Sequence, residues 1–472
     1  MLENGFEPDM PAAVPLQLAE LQRHPPVVTP APGIQDLRHL LWSSIDNDTS
    51  RDLDQLEVAV ALPGGATKVM VAIADVDIYV PKQSAIDQYA ARETTTVYTG
   101  VSIFPMLPEP LSTDATSLAE AGDRLAMVIE FVVGTDDRVT SHAVYRAVVR
   151  NKAQLTYNAV GAWLEARGPA PGKVAASPEL AAQLRLQDAA AQALRGERHR
   201  HGALNIETIE TRPVVSHGQI TAVEKQEKNR ATELIEDFMI ASNEVVARVL
   251  DSVSSLRRIV RTPRRWDRIV ALAARTGTTL PAVADSLALN RFLVARKTAD
   301  PDHFADLSLA VIKLLGPGEY VLERPGEPNP GHFGLAVEDY THSTAPNRRF
   351  ADLVTQRILK ALLAKQPTPY SDAELTTVAS DCTLKADAAR KVERDMSKRI
   401  AAVAMTTRLG GIFDAIVTGA GPKGTFVRVL TPHIEGMLVQ GHHGMDVGDR
   451  LRVKLIHTDV DKGFIDFVKV ER

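Results

Sequence analysis

The chain has 472 residues, 44% hydrophobic and 24% charged, proportions of a folded globular protein of about three domains. They exclude a disordered, collagen-like or coiled-coil chain. With 54 Lys+Arg against 59 Asp+Glu the net charge is −5, so any basic nucleic-acid surface has to be local, and the single cysteine, Cys382, excludes an internal disulfide or a cysteine-built zinc site.

Residues 1–33 carry seven prolines (Pro8, Pro11, Pro15, Pro25, Pro26, Pro30, Pro32) around one short amphipathic stretch, Leu16 to Gln22. They are expected to form a tail with one helical turn or two. The first residues are acidic and no apolar run follows, so no signal peptide is expected. No run long enough to span a membrane occurs in the sequence, and a reducing cytoplasm fits the cysteine usage. From Leu56 to Ala74, alternating apolar residues on either side of Pro63-Gly64-Gly65 predict two strands and a turn. Ala126–Val133 and Ser141–Val149 predict two more. Ser177–Arg195 reads as helix, Ala203–Val223 as strand alternation, and Asn229–Val253 as a long amphipathic helix. Helices are expected to dominate Trp266–Leu314 and Asn347–Arg408. Gly410–Arg472 holds β-branched residues with turn signals at short spacing, which predicts about five strands and a small barrel of OB-fold size. The barrel's charges balance to zero.

The segment Ser44-Ile-Asp-Asn-Asp-Thr-Ser-Arg-Asp-Leu-Asp-Gln55 places Asp46, Asp48, Asp52 and Asp54 within nine residues. Like charges this close repel, and a divalent cation is the usual compensation; oxygen ligands favour Mg²⁺, Mn²⁺ or Ca²⁺ over zinc. Three readings compete. The segment is a solvated acidic turn, or an EF-hand, or a phosphoryl-transfer metal site. For the EF-hand, Asp46, Asp48, Ser50, Asp54 and Glu57 fall at loop positions 1, 3, 5, 9 and 12. Against it, Arg51 stands where the sharp turn needs Gly, and a strand follows in place of a helix.

Ser44-Ile-Asp-…-Arg-Asp-Leu-Asp54 resembles the signature of the ribonuclease II / ribonuclease R (RNB) family of exoribonucleases. Further matches follow in the same order: Val71–Val76, Phe104–Glu109, Glu233–Met239, Asp306–Lys313, His332–Ala336 and Tyr340–Arg349. Gly424–Val429 and Glu435–Val439 look like the RNA-binding OB-fold that ends this family's chains. The resemblance implies an α+β protein. A proline-rich tail (1–33) would precede an RNB-type catalytic domain of mixed sheet and helices (34–408) and an OB-fold domain (409–472). It implies a processive, metal-dependent 3′→5′ exoribonuclease that hydrolyses single-stranded RNA to nucleoside 5′-monophosphates. A monomer working in the cytoplasm, with no membrane partner, is expected.

Carried over by position, Asp46, Asp52 and Asp54 match metal-binding or catalytic aspartates, Gln55 falls at a fourth metal position, and Arg348 matches an arginine that touches the scissile phosphate. The expected ion is Mg²⁺ or Mn²⁺. Tyr98 matches a tyrosine that packs on the 3′-terminal bases; Tyr157 and Glu236 match residues near the terminal ribose. Phe426 lies in the barrel motif as a stacking platform. Asp48 has no assigned role. His332 and His342 are read as structural, Cys382 as inert, and the basic run Lys385–Arg399 as a helix lining the RNA channel. The chain also departs from the family. Gln55 replaces a carboxylate, Ile206 stands where a stacking phenylalanine is common, and Asn347 interrupts the usual Pro-Ile-Arg. Two N-terminal OB-type domains are common in relatives, and 33 residues are too few to hold them, so RNA capture is expected to rest on the barrel and the catalytic surface. The competing class is a non-catalytic RNA-binding protein on the same fold.

Overall fold

The computed structural model describes residues 1–208, 210–216, 219–421, 424–445 and 447–470. Helix α1 (Ala13–Arg23) leads into β1 (Ile34–Asp36), β2 (Ser43–Asp46), β3 (Gln55–Ala61) and β4 (Thr67–Ala74). After α2 (Ala85–Glu93) and a short ladder of β5 (Val97–Tyr98) with β6 (Ile103–Phe104) come β7 (Asp123–Val133), β8 (Val139–Arg150) and β9 (Ala153–Thr156). Seven strands form one mixed sheet in the order β1-β8-β7-β4-β3-β2-β9. Its interior is antiparallel. Its two edges, β1 on β8 and β9 on β2, are parallel. The expected β3–β4 hairpin is present. Gly64 and Gly65 both take φ near +85° to +88° in its turn, a conformation that glycine adopts without steric cost.

Helices then cover the sheet: α3 (Tyr157–Leu164), α4 (Gly172–Ala175), α5 (Pro178–Arg200) and, after the hairpin of β10 (Glu210–Ser216) with β11 (Gln219–Gln226), α6 (Arg230–Val249). Ser177 caps α5 ahead of Pro178 at its first position, and Asn229 with Thr232 forms a capping box at the start of α6. Phe131 of β7 meets Phe238 of α6 edge to face at 6.1 Å between ring centroids, in a core that also holds Trp42, Leu56 and Val71. Strands β12 (Ser255–Ile259) and β13 (Glu319–Glu323) pair around an inserted helical lobe of α7 (Trp266–Ala274), α8 (Ser286–Ala299) and α9 (Pro301–Leu315). That lobe packs its own core on Trp266, Phe292 and Phe304. Helix α10 (Phe350–Leu363) is almost wholly buried, and α11 (Asp372–Thr406) runs 35 residues from a Ser371–Glu374 capping box. Strands β14 (Ile412–Gly421), β15 (Gly424–Val429), β16 (Ile434–Gln440), β17 (Arg450–Asp459) and β18 (Phe464–Lys469) close a five-stranded barrel. The α+β architecture with a C-terminal OB-type barrel is as expected.

The barrel is welded to the body. Its core residues Val417, Val427 and Phe467 share one apolar cluster with Ile400, Ala402 and Met405 at the end of α11. Arg428 of β15 also pairs through two hydrogen bonds with Asp306 of α9, at 2.5 and 3.0 Å.

Three expectations change. The N-terminal segment is no loose tail. α1 spans 11 residues, Val14 and Phe6 are each 1% exposed, and Lys385 of α11 lies over the Phe6 ring and donates to the Gly5 carbonyl. Prolines flank this helix and Pro15 sits in its first turn, so their density hid a packed segment. Ala203–Val223 is not one alternating strand: its first residues run irregularly beneath the helices, and strand begins at Glu210. Lys385 is committed to the N-terminal segment, so the basic run of α11 is not uniformly a channel lining. Among the described residues no helix is long and apolar enough to cross a membrane.

Candidate active site

Asp46 is the last residue of β2, and the acidic loop 47–54 connects it to β3. The loop is pinned from beneath. Leu53 is buried, its N–H donates to Ser117 Oγ (3.1 Å), and Ser117 Oγ in turn donates to the Arg51 carbonyl (2.7 Å). Asp46 Oδ1 accepts from the Asn47 N–H (2.7 Å) and Ser50 Oγ (2.8 Å), closing the turn that keeps the aspartates together. Burial pushes the Asp46 carboxyl above its ordinary value, against the pull of those hydrogen bonds and of Arg348.

Asp54 ends the loop at 3% exposure. Its Oδ2 accepts from Arg348 Nε at 2.8 Å, while its Oδ1 is buried with no hydrogen-bond partner. Desolvation raises its pKa from 3.8 to about 6, and Arg348 offsets part of that rise. Arg348 reaches Asp54 across 294 residues of sequence from the turn before α10. That turn is held in place. The Arg348 carbonyl accepts from the Thr96 N–H (3.0 Å), and buried Asn347 accepts through Oδ1 from Thr116 Oγ1 (2.6 Å). The asparagine that departs from the family pattern therefore fixes the arginine's turn to the segment beneath the acidic loop.

Tyr98, 38% exposed, donates its hydroxyl toward Asp52 Oδ2 at 3.4 Å, and its N–H donates to Glu393 of α11. Tyr157 opens α3 directly after β9. Its neighbour Thr156 is registered against Asp46, and Asn229, the cap of α6, donates to the Tyr157 carbonyl (3.1 Å). Burial raises the Tyr157 phenol, and the charges of Asp46, Glu57 and Glu236 raise it further. Asp48 accepts from Asn158 Nδ2 (2.9 Å), which anchors the loop to α3. A cavity of about 770 Å³ opens here, lined by Asp48, Asp52, Tyr98, Tyr157 and Asn347, with Arg212 and Lys225 of the β10–β11 hairpin on its rim.

The sequence candidates are thus largely gathered. Asp46, Asp52, Asp54, Arg348, Tyr98 and Tyr157 surround one place. Glu236 lines an adjoining cavity of about 410 Å³ together with Ile206, and pairs with Lys228 at 2.8 Å. Phe426 stands apart on β15. It is half-buried, with its neighbours Thr425 and Val427 turned into the barrel. His332 and His342 pack edge to face on Tyr340; burial lowers the former to about 4 and the latter well below its ordinary value, as structural histidines require. Cys382 is buried, and that burial raises its thiol.

Gln55 begins β3 and is buried, and strand alternation turns it to the face opposite Asp54. Glu57 shares the Gln55 face and is 0% exposed. Neither of its carboxylate oxygens has a hydrogen-bond partner. Burial first, and the charge on Asp46 second, push its carboxyl well above the usual range. Sequence reading counted Glu57 only as an EF-hand position. Its signal was an acid between Leu56 and Val58, which alternation assigns to a solvent face that does not exist. Asn229, Asn158, Ser117 and Thr116 also escaped notice, because each acts by holding a distant segment.

Asp46, Asp52 and Asp54 offer only oxygen donors, and the buried Asp54 Oδ1 has no hydrogen-bond partner; that chemistry fits a hard divalent cation. A carboxylate cluster, a guanidinium facing it and a cavity walled by two tyrosines, on a mixed α/β domain fused to an OB-type barrel, define the class of protein. The sequence pattern of the RNB domain matches residues 34–365, and that of the RNase II-type exonuclease C-terminal S1 domain matches residues 412–470; the chain belongs to the RNB family. It is similar to Ribonuclease R of Vibrio parahaemolyticus (28% identical, over 98% of this chain and 59% of that protein). Ribonuclease R of Thermotoga maritima is 29% identical, over 93% of this chain and 65% of the relative. Ribonuclease R of Escherichia coli is 28% identical, over 97% and 60%. The chain thus spans about three-fifths of the length of these curated relatives. Among solved structures it resembles Mycoplasma genitalium RNase R in its apo form (TM-score 0.86, 22% identity, 100% of this chain and 77% of that one). Yeast Ssd1, described as a pseudonuclease, shares the fold at TM-score 0.67 and 16% identity, over 86% of this chain and 50% of that one.

Proposed function

We propose that this chain is a metal-dependent, processive 3′→5′ exoribonuclease that hydrolyses single-stranded RNA to nucleoside 5′-monophosphates. One observation carries the reading: Arg348 pairs with Asp54, the charges of Arg348 and Asp52 act on both Asp46 and Asp54, and Asp52 lines a cavity of about 770 Å³ beside them. Asp46, Asp52 and Asp54 would hold Mg²⁺ or Mn²⁺, which when bound would supply charge neutralisation at the phosphate and activation of water, while Gln55, turned to the opposite face of β3, stands outside that set. The protein's own groups do the rest. Arg348, with its side chain 42% exposed beside Asp54, offers a fixed cation to the scissile phosphate. Tyr98 presents an exposed ring on which the terminal base packs. Tyr157 and Glu236 border the place of the terminal ribose, where a 2′-hydroxyl separates RNA from DNA. Arg212 and Lys225 on the rim guide phosphates inward. The Mycoplasma genitalium RNase R, of the same fold, has been solved in complex with ribose methylated single-stranded RNA, which supports this use of the cavity.

A non-catalytic RNA-binding reading has two supports: Gln55 replaces a carboxylate, and the same fold occurs in a protein described as a pseudonuclease. End-labelled single-stranded RNA incubated with Mg²⁺ or Mn²⁺ decides between them. Release of mononucleotides from the 3′ end is the expected result; retention of intact RNA at every metal concentration refutes the enzyme.

A further inference from the structure

Thr94 ends α2 with φ 56° and ψ −21°, a left-handed conformation that a β-branched residue avoids unless its surroundings hold it. Its hydroxyl oxygen is buried without a hydrogen-bond partner. The strained turn is held from two sides.

One side is the candidate active site. The Thr94 carbonyl accepts from the Phe350 N–H (2.8 Å), the Thr96 N–H donates to the Arg348 carbonyl (3.0 Å), and Thr95 bridges Arg349 between them. Two residues beyond Thr96, Tyr98 donates its hydroxyl toward Asp52. The run Glu93–Tyr98 therefore carries both the turn that presents Arg348 and the tyrosine of the cavity.

The other side is the N-terminal segment. Both carboxylate oxygens of buried Glu93 accept from the Glu7 N–H, at 3.1 and 3.2 Å, and Arg92 pairs with the Glu7 side chain at 3.0 Å. Phe6 shares one apolar cluster with Val97 of β5 and with Ala389 and Val392 of α11, and Phe104 of β6 packs against that cluster. Val97 is buried and Tyr98 exposed, on opposite faces of β5, so Phe6 lies behind the strand whose front carries Tyr98. Lys385 fixes Phe6 in turn: its ammonium stands 4.7 Å from the ring centroid and donates to the Gly5 carbonyl.

We propose that Phe6 and Glu7 are positioning residues of the active site. They clasp Glu93 and Val97, one on each side of the strained Thr94, and so set the place of Tyr98 and of the Arg348 turn. Neither lines the cavity itself. The consequence for RNA rests on the nuclease reading; the clasp is a property of the fold.

The test uses the full chain with Phe6→Ala, Phe6→Leu and Lys385→Met, the last removing only the cation over the ring. Hydrogen–deuterium exchange reads the run directly. Phe6→Ala should speed exchange of the Thr96 and Tyr98 amides by ~10-fold or more, Phe6→Leu should stay close to wild type, and Lys385→Met should fall between them. On short single-stranded RNA, Phe6→Ala should lower kcat/KM by ~10-fold, within the range that small misplacements of a site produce, and Phe6→Leu should recover most of it. Phe292→Ala, in the core of the helical lobe, controls for lost stability alone. It should lower the melting temperature at least as far as Phe6→Ala does, yet keep kcat/KM within about twofold of wild type. Wild-type exchange of both amides in Phe6→Ala and Lys385→Met overturns the clasp. So does a kcat/KM loss no larger in Phe6→Ala than in Phe292→Ala. If Phe6→Ala does not fold, Lys385→Met decides by the same exchange measurement, and wild-type exchange there overturns the clasp. Faster exchange in the variants, combined with a wild type that never cleaves RNA, keeps the clasp and refutes the nuclease reading instead.

Discussion

Asp54→Asn separates two consequences of burying a carboxylate at the site. In the folded protein without metal, desolvation holds the Asp54 pKa at about 6 against 3.8 when unperturbed, with the Arg348 ion pair already included in that value. A carboxyl with a raised folded pKa binds its proton more tightly in the folded state. It therefore costs no stability below pH ~4, and the cost grows as pH rises through about 6. That difference corresponds to ~3 kcal/mol at pH 8 and ~1 kcal/mol at pH 4.5. Asparagine cannot ionise, keeps the shape, and can still accept from Arg348, whose side chain is 42% exposed and rehydrates readily. In EDTA the variant should therefore melt higher than wild type at pH 8, by a few degrees, with the gap narrowing toward pH 4.5. In the presence of Mg²⁺ and RNA its turnover should fall by orders of magnitude while RNA binding persists, since the lost charge serves the transition state more than the ground state. Paired thermal melts across pH and a mononucleotide-release assay read both effects. A gap that does not change with pH, or a variant less stable than wild type at pH 8, refutes the desolvation argument; near-normal turnover refutes the assignment of Asp54 to the site.

Three further outcomes follow from particular contacts. In Gly161→Ala the new Cβ would stand 2.3 Å from Cγ of Asn229, which caps α6 and holds Tyr157, so the variant should lose ~1–2 kcal/mol of stability in thermal or urea melts and part of its activity. Wild type should cleave RNA far faster than a DNA strand of matched sequence, and Glu236→Ala should narrow the ratio; equal wild-type rates on the two strands refute the roles of Tyr157 and Glu236. Phe426→Ala should weaken binding of long single-stranded RNA by ~5- to 150-fold, on the scale of ~1–3 kcal/mol for one stacked base, and leave rates on short oligomers and the melting temperature almost unchanged. An unchanged long-RNA affinity in titrations would take Phe426 out of the RNA path.

Local pattern determined much of this protein. Alternation set β3 and β4, glycines set their turn, the caps at Ser177, Asn229 and Ser371 started three helices, and nine residues from the end of β2 through the loop held the three aspartates of the site. These features are short-range, and short-range physics leaves a readable trace. Tertiary structure decided what depends on residues far apart. Only the fold brings Arg348 to Asp54, fixes its turn through Asn347 and Thr116, and packs α1 and Phe6 against α2 and α11 despite the surrounding prolines. It also decided the burial of Glu57. Alternation in a sheet with one wet face would place that side chain in water, but both faces of β3 are buried at its first five residues, so the same pattern buries the acid. Which face of a strand meets solvent is a property of the layers packed on it, and no local run of residues encodes it.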